Sequence, residues 1–225
     1  MIAFSGYSWH VKKSDEPVGP GPNYFSDQID DVWVDIFGRL HLMIRFRNGR
    51  WYASEIVTET ALGYGAYTFT LGSLVDQLDP NVVLGLFTWD PDAPNESYRE
   101  IDIEFSKWSN ASNDNAQYVV QTRRKFPGNP HCFTMLPEAI STHRFLWSPD
   151  RVLFTSYRGR RTDAGSIIHA HAFTASDVPK EGNGNARINL WLNKGAPPSD
   201  GQNVEIIVES FGFTPLTAPA GDPIA

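Results

Sequence analysis

The chain has 225 residues, enough for one sizeable domain with its own hydrophobic core. Its formal net charge of −7 argues against nucleic acid as a partner, because nucleic-acid-binding proteins usually carry basic patches. A single cysteine, Cys132, excludes an intrachain disulfide. No stretch approaches the length of a membrane helix, and residues 1–6 lack the pattern of a signal peptide. We expect a secreted or periplasmic protein whose signal has been removed; a cytoplasmic location is the alternative.

Turn residues dominate positions 1–31, with Gly19-Pro20-Gly21-Pro22-Asn23 at their centre, which predicts a loop laid over the body of the domain. Apolar runs and alternating patterns then predict strands. These strands cover residues 39–46, 51–58, 64–71, 82–89, 99–105, 117–123, 143–147, 152–157, 167–173, 186–192 and 204–213. Asn48-Gly49 is a hairpin turn signal between the first two. We expect residues 214–225, rich in Pro and Ala, to form a loosely ordered tail.

No long helix, linker or repeat divides the chain, so residues 1–225 are predicted to form a single all-β domain. The stretch 82–89 is nearly all apolar, as expected of a strand buried on both faces. A loop, residues 90–95, leads from it directly into residues 99–105. The two strands are therefore predicted to pair antiparallel, with Trp89 near the end of the second one.

The run Glu100-Ile101-Asp102-Ile103-Glu104-Phe105 alternates carboxylates with apolar residues. Side chains on a strand alternate between its faces, so the three acids share one face and the apolar residues share the other. Neighbouring like charges raise one another's pKa and disfavour folding, which suggests that the row has a use. Cleavage of a glycosidic bond needs two carboxyl groups in different protonation states. The alternative is an acidic strand edge in solvent.

The spacing of the acids allows a rough test of this chemistry. Four residues of strand separate the Cα atoms of Glu100 and Glu104 by about 13 Å, and a concave strand brings the carboxyl groups to about 5–6 Å. A retaining mechanism requires about 5–5.5 Å, whereas an inverting one requires about 6.5–9.5 Å. The spacing therefore favours retention.

The acid strand resembles the active-site strand of glycoside hydrolase family 16, which includes lichenases, laminarinases and xyloglucan transglycosylases. Five other segments, in the same order, are similar to family motifs: Ala53-Ser54-Glu55-Ile56, Gly63-Tyr64-Gly65-Ala66-Tyr67, Leu86-Phe87-Thr88-Trp89, residues 142–150, and Asn189-Leu190-Trp191. The resemblance covers residues 30 to 213. It implies a β-jelly-roll sandwich of two curved antiparallel sheets with a concave glycan cleft.

The resemblance also implies roles for the three acids. Glu100 would be the nucleophile, Glu104 the general acid and then the general base, and Asp102 would orient the nucleophile and help to set both pKa values. One residue between successive acids is the lichenase and transglycosylase pattern, which favours a β-1,3-1,4-glucan substrate.

The chain departs from lichenases at several positions that contact sugar in that family. Where lichenases have Arg two residues after the matching Glu, this chain has Val57. The Trp before the acid strand is Tyr98, and the Asn and Tyr of the neighbouring strand are Val119 and Gln121. The sugar contacts are therefore expected to differ from those of lichenases.

Family positions supply further candidates for substrate binding. Trp89, Tyr98 and Trp191 are candidates for stacking on sugar rings, with a core position as the alternative. Glu55 and Asn189 could hydrogen-bond sugar hydroxyls, with a structural hydrogen bond as the alternative. His143 has either a cleft role or a structural hydrogen bond, and Gln121 is a further substrate-binding candidate. Asn23 and Tyr24 are candidates for lining the cleft from the N-terminal loop.

Metal and thiol chemistry has little support in the sequence. His169 and His171 alternate on a predicted strand, but no third ligand is clustered with them, so an exposed strand face is the better interpretation. Cys132 lacks the surroundings of a catalytic thiol. Because relatives often hold a structural calcium on the convex side, Glu209 is a candidate calcium-side ligand; no cofactor is expected to be required.

The sequence thus predicts a monomeric, retaining endo-β-glucan hydrolase acting on β-1,3-1,4- or β-1,3-linked polysaccharide, without nucleic-acid or membrane partners. One alternative is a glucan or xyloglucan transglycosylase, in which a sugar hydroxyl replaces water. A lectin-like domain that binds glycan without turnover is the other.

Overall fold

The computed structural model describes residues 1–216, which form sixteen strands and four short 3-10 segments. The strands are β1 (Ile2–Phe4), β2 (Tyr7–Val11), β3 (Tyr24–Phe25), β4 (Val32–Val34), β5 (Leu40–Arg47), β6 (Arg50–Ala61), β7 (Gly65–Leu71), β8 (Val82–Trp89), β9 (Ile101–Phe105), β10 (Ala116–Val120), β11 (His131–Phe133), β12 (Ser141–Ser148), β13 (Arg151–Arg158), β14 (Ile167–Phe173), β15 (Asn185–Leu192) and β16 (Val204–Pro215). The 3-10 segments are Val75–Gln77, Pro94–Arg99, Ala164–Ser166 and Asn193–Gly195.

The strands form two layers, as in a jelly-roll sandwich. One layer, the cleft sheet, has the order β11-β10-β9-β8-β15-β6-β2-β1. The other, the outer sheet, has the order β4-β5-β16-β7-β12-β13-β14. The β5–β6 hairpin joins them through Asn48 and Gly49, whose φ values of 51° and 77° are those of the predicted tight turn. The all-β jelly-roll prediction is confirmed, with one parallel exception in the short β3–β6 pair.

The hydrophobic core lies between the layers and takes alternate residues from each strand. On β9 the residues facing it are Ile101, Ile103 and Phe105, all fully buried. Opposite them the outer sheet contributes aromatic residues, including Phe145 and Phe154. The acids of β9 consequently point away from the core, onto the outward surface of the cleft sheet, as the alternation predicts.

Strand positions follow the sequence closely where the apolar pattern is strong. β8 and β14 have the predicted bounds, and β8 pairs antiparallel with β9 in the register Gly85 to Glu104 and Phe87 to Asp102. β8 is buried along nearly its whole length, as predicted for a strand covered on both faces.

Several sequence-based boundaries were wrong; the strand predicted over residues 117–123, for example, ends at Val120. The segment 1–31 is more than a loop, because β2 pairs with β6 and extends the cleft sheet. Thr214 and Pro215 belong to β16, where they continue the ladder with β7; the rest of the predicted tail, from residue 217, lies outside the described residues. Residue 99 ends a 3-10 segment rather than opening β9.

The assignment of residues 1–225 to a single domain stays a prediction. In the part of the chain that the structure describes, no helix is long and apolar enough to cross a membrane.

Candidate active site

Strand register places two rows of side chains across the cleft sheet. The first row runs Glu55, Asn189, Gly85, Glu104, Gln117, over β6, β15, β8, β9 and β10. Directly opposed residues on neighbouring strands point to the same face, so this row presents polar groups to the outward surface. Gly85 has no side chain and so leaves room in this row for the side chain of Asn189. A Cβ built at Gly85 would lie 2.5 Å from the Asn189 side-chain oxygen.

The second row lies two residues along each strand. It contains Arg187, Phe87, Asp102 and Val119, on β15, β8, β9 and β10. A cation on one strand and a carboxyl two strands away therefore share one surface, with the Phe87 ring on the strand between them.

Glu100 continues the acid row although it precedes β9. Its φ of −83° and ψ of 129° are extended, so the alternation with Asp102 is kept. Its carbonyl accepts a hydrogen bond of 3.0 Å from the Gln121 amide, which prolongs the β9–β10 ladder. Glu100 and Glu104 are half-buried and Asp102 is buried.

Hydrogen bonds link Glu100 to Asp102, and they link Asp102 and Glu104 to the side-chain amides of Gln121 and Gln117. The side chains of Glu100 and Asp102 are hydrogen-bonded. Gln117 Nε2 donates to Glu104 Oε2 at 2.6 Å, and Gln121 Nε2 donates to Asp102 Oδ2 at 3.4 Å.

Burial is the largest influence on all three acids and raises each pKa. The charge of Glu104 further raises the pKa of Glu100, while the bond from Asp102 and the charge of Arg187 lower it; the net result is a Glu100 pKa raised to about 8. For Asp102, the charges of both neighbours and its bond to Glu100 add to burial, and its pKa lies well above the ordinary value. The bond from Gln117 partly offsets the effect of burial on Glu104. Their shared bond therefore favours the proton on Asp102 and the charge on Glu100.

The segment just before the acid strand has an unusual backbone conformation. Ser97, Tyr98 and Arg99 have positive φ values of 50°, 57° and 52°, a region that costs free energy for residues other than glycine. Arg99 offsets part of this cost by an ion pair with the fully buried Asp90, to which the Asn183 amide also donates at 2.9 Å.

This shape places Tyr98 face to face with Trp89. The two ring centroids lie 4.0 Å apart with an interplanar angle of 12°. Both side chains are half-buried, so the pair forms an aromatic edge beside Glu100. Stacking of this kind holds the Trp89 ring in one orientation.

Glu55 is the centre of a second polar cluster. Lys12 Nζ contacts its Oε2 at 2.9 Å and Arg187 Nη1 contacts its Oε1 at 3.0 Å. Asn189 Nδ2 donates to Oε2 at 3.4 Å. The fully buried Glu55 carboxylate is thus held between two cations, a pairing that such a buried charge requires.

A cavity of about 340 Å³ opens over Glu55, Glu100 and Asp102, and Glu104 lies outside its lining. Its lining combines acids, cations and aromatic rings: Lys12, Gly19, Pro20, Glu55, Phe87, Trp89, Glu100, Asp102, Arg187, Asn189 and Trp191. A mixed surface of rings and hydrogen-bonding groups suits a ligand that is apolar on its faces and polar at its rim.

Two buried polar atoms beside the cavity have no hydrogen-bond partner among the described residues. They are Asn189 Oδ1 and Arg187 Nε. Because unpaired buried polar atoms cost free energy, they are expected to be satisfied by a ligand or by water.

Trp191 lies at one end of the cavity in a small apolar cluster with Phe25, Ala53, Val83 and Trp108. Only 8% of its surface is exposed, so little of the ring is open to a ligand. Of the predicted stacking residues, Trp89 and Trp191 line the cavity, whereas Tyr98 does not line it and stacks on the Trp89 ring.

The two N-terminal candidates do not line the cavity. Asn23 is buried and ties the loop to β15: its Nδ2 donates to the Leu192 carbonyl at 2.9 Å and its Oδ1 accepts from the Leu192 amide at 3.1 Å. Tyr24 packs on Tyr52 and under Arg50, away from the cavity. The cleft role predicted for both residues is corrected to a structural one; Lys12, Gly19 and Pro20 approach the cavity instead.

The cleft role predicted for His143 is also corrected. His143 lies on β12 of the outer sheet, is fully buried, and hydrogen-bonds Ser141 and Ser156 at 2.8 Å each. Its ring meets the core side of Phe105, on the far face of the acid strand. Burial lowers the pKa of His143 to about 3, so the ring is neutral.

His169 and His171 do not form an exposed strand face. Both are half-buried and stack with His131 at the junction of the two sheet edges. The Nε2 atoms of His131 and His169 lie 2.8 Å apart, a hydrogen-bonding distance. A third histidine does lie beside them, since the fold brings β11 against β14, but these three rings form a stack.

The Glu209 carboxylate forms an ion pair with Arg160. Arg160 contacts both of its carboxylate oxygens at 2.7 Å. Within residues 1–216, no group of three or more His, Cys, Asp or Glu side chains is arranged to hold a metal ion. The structure therefore offers Glu209 a cationic partner other than calcium.

Cys132 is exposed, and its thiol lies 3.9 Å from Gln117 Oε1.

Sequence reasoning missed several residues of this site. Arg187 alternates with Asn189 and Trp191, so the pattern of β15 could have placed all three on one face. Gln117 similarly alternates with Val119 and Gln121. No signal in the sequence connects Lys12 with Glu55.

Chains of solved structure share this architecture. A prokaryotic β-1,3-1,4-glucanase (lichenase) from a mouse hindgut metagenome matches with a TM-score of 0.65 and 17% identity, covering 92% of this chain and 93% of its own. A glycosyl hydrolase family 16 protein from Mycobacterium smegmatis matches with a TM-score of 0.65 and 15% identity, covering 92% of each chain. An immunostimulatory antigen and pseudo β-1,3-glucanase of Mycobacterium tuberculosis matches with a TM-score of 0.65 and 16% identity, covering 89% and 88%.

Sequence comparison adds nothing to these likenesses: no family model and no curated protein matches the chain. The fold and the acid row define a jelly-roll sandwich with a carboxyl-lined cleft. This is the fold of glycoside hydrolase family 16 proteins, which confirms, for the fold, the resemblance seen in the sequence motifs.

Proposed function

We propose that the chain is a retaining endo-β-glucan hydrolase that acts on a β-1,3-1,4- or β-1,3-linked polysaccharide. The observation that carries the proposal is the arrangement of Glu100, Asp102 and Glu104 on one open face, each with a raised pKa and each with a different hydrogen-bond partner. The glucanase fold supports the substrate class.

The environments of the acids support distinct roles. Asp102 donates to Glu100 and so stabilises the Glu100 carboxylate, which a nucleophile requires. Burial favours the protonated form of Glu104, which a general acid requires; it favours the protonated form of Glu100 as well, so ionisation of the nucleophile depends on the bond from Asp102. Gln117 fixes the Glu104 carboxyl group through Oε2 and leaves the other oxygen for the leaving group.

The reaction follows from these roles in two steps. A Glu100 oxygen bonds to the anomeric carbon as the glycosidic C–O bond breaks, and the Glu104 proton passes to the departing oxygen. In the second step Glu104, now a carboxylate, takes a proton from water; the water oxygen bonds to the anomeric carbon and Glu100 is released. The predicted carboxyl separation of about 5–6 Å is the value suited to retention.

The cavity supports a sugar ligand. Trp89 and Trp191 offer apolar surface, while Asn189 Oδ1 and Arg187 Nε are unpaired atoms that sugar hydroxyls could satisfy. No cofactor takes part in the proposed mechanism, and the proposed unit is a secreted or periplasmic monomer.

A second candidate is binding without turnover, because one protein of the same fold is named a pseudo β-1,3-glucanase. Both candidates are tested by incubating the purified chain with lichenan, laminarin, xyloglucan and agar and measuring reducing ends. Hydrolysis of a glucan, lost in Glu100→Gln while oligosaccharide binding is kept, supports the enzyme. Binding without any cleavage supports the lectin-like alternative, and redistribution of product sizes without net hydrolysis supports a transglycosylase.

A further inference from the structure

We propose that His131, His169 and His171 form a pH-sensitive histidine clasp, which holds β11 against β14 while the rings are neutral and releases β11 when they take up protons. The clasp lies at the edge of the sandwich and acts without substrate, so it is independent of the proposed function. At this edge the backbone hydrogen bonding has a gap, and the three rings fill it.

The gap lies where the two layers end side by side. β11 is the last strand of the cleft sheet and β14 is the last strand of the outer sheet. Within residues 1–216, no ladder of backbone hydrogen bonds joins these two strands. Their side chains alternate, so Cys132 and Ala170 are exposed, whereas the three histidines are half-buried and turn inwards. Side chains rather than backbone groups therefore close this edge.

Each histidine of β14 touches a ring of β11. The Nε2 atoms of His131 and His169 lie 2.8 Å apart. The His171 ring lies parallel to the His131 ring, with centroids 3.9 Å apart and an interplanar angle of 8°. The Phe133 ring stacks on His169 in the same way, at 4.3 Å and 7°. The contact between the two strands thus consists largely of imidazole rings.

The hydrogen bond between His131 and His169 depends on their protons. A neutral imidazole has one donor and one acceptor nitrogen, whereas a protonated imidazole has two donors and no acceptor. When both rings are protonated, two N–H groups with like charges face each other and the bond is lost. A proton on His171 adds a third positive charge, face to face with the His131 ring. Full protonation therefore turns attraction between the strands into repulsion.

The surroundings of the clasp favour its neutral form. Tyr118 of β10 stacks along His131 with an interplanar angle of 13°, and burial raises the pKa of Tyr118, so this ring is uncharged. Within residues 1–216, the ion pairs between histidine and carboxylate are those of His41, so no acid pairs with the clasp. Burial, and after it the charge of neighbouring clasp rings, lowers the pKa of both β14 histidines.

Opening of this edge exposes the rings to water, where an imidazole has a pKa of about 6.5. Because the closed clasp resists protonation, each pH unit below that value favours the open edge by up to about tenfold for each ring that titrates. Cys132 of β11 pairs with Gln117, whose Nε2 donates to Glu104 Oε2 at 2.6 Å. Acid conditions therefore loosen the strand that supports Gln117.

The test is amide hydrogen exchange of the full-length chain at pH 7 and pH 5, expressed as protection factors so that the intrinsic effect of pH cancels. Protection of the β11 amides should fall by about tenfold or more at pH 5, whereas that of β1 and β2, at the opposite edge of the cleft sheet, should not. His169→Gln keeps a hydrogen-bonding group but removes one titratable ring, so the fall should be several-fold smaller. His10→Gln, which removes an exposed histidine of β2, is the matched control and should leave the fall unchanged.

Equal loss of protection in β11 and in β1 and β2 overturns the inference, as does a fall in His169→Gln as large as that of the wild type. If His169→Gln does not fold, His171→Phe keeps a ring stacked on His131 without its charge and gives the same test. A wild type that hydrolyses no glucan overturns the proposed function only, since the exchange measurement needs no substrate.

Discussion

Glu104 should make the protein less stable as the pH rises, and its replacement by glutamine should remove that penalty. Burial raises the Glu104 pKa from 4.5 to about 7. An acid with a raised folded-state pKa contributes fully to stability below its unfolded pKa, and the contribution is lost as the pH rises through the folded pKa. A glutamine side chain in place of Glu104 would keep the contact with Gln117 without a charge.

The size of the effect follows from the shift. One pKa unit corresponds to about 1.36 kcal/mol, so a shift of about 2.5 units is worth roughly 3 kcal/mol at full ionisation. Part of this is already lost at pH 5, which leaves roughly 2–3 kcal/mol between pH 5 and pH 9. Coupling to Glu100 and Asp102 spreads the titration but does not change its sign.

The assay is urea unfolding of the wild type and Glu104→Gln at pH 5 and pH 9. The variant should gain about 2–3 kcal/mol over the wild type at pH 9 relative to its difference at pH 5. Glu59→Gln, the same chemical change at an exposed position of β6, should show no such gain. A Glu104→Gln variant whose advantage is equal at both pH values, or which is less stable at pH 9, would refute the reasoning.

Two further changes test the geometry of the cleft. Gly85→Ala places a methyl group 2.5 Å from Asn189 Oδ1, which should displace the Asn189 amide. The KM for glucan should therefore rise several-fold with a smaller change in kcat. An unchanged KM would show that Asn189 does not contact substrate. Gln117→Met removes the hydrogen-bond donor that lowers the Glu104 pKa. The basic limb of the kcat/KM profile should therefore move to higher pH. A shift to lower pH would contradict the assignment of Glu104 as the general acid.

The outward face of β9 could be predicted because acidic and apolar residues alternate without a break from Glu100 to Phe105, and because the neighbouring strand in sequence, β8, is apolar. β8 could be predicted because it is apolar throughout. The N-terminal strands could not, since β1 and β2 are short and are followed by Gly- and Pro-rich residues 19–22, and the pairing of β2 with β6 is a long-range choice.

The acids of the site were predictable, and their surroundings were not. Alternation assigns a residue to a face of its own strand but not to a sheet, so His143 could not be distinguished from a cleft residue before β12 was placed in the outer sheet. Arg187 and Lys12 come from separate parts of the chain and meet only because β15 and the N-terminal segment both lie beside Glu55.

The central claim is that Glu100 is the nucleophile of a retaining glucan hydrolase. The measurement that tests it most directly is peptide mass mapping after incubation with a 2-deoxy-2-fluoro-β-glucoside carrying a dinitrophenolate leaving group, which forms a glycosyl-enzyme that hydrolyses slowly. The account predicts one added glycosyl unit that fragmentation of the peptide spanning residues 100–107 assigns to the Glu100 side chain. An adduct on Glu104 or Asp102, or glucan hydrolysis without any adduct, would contradict it.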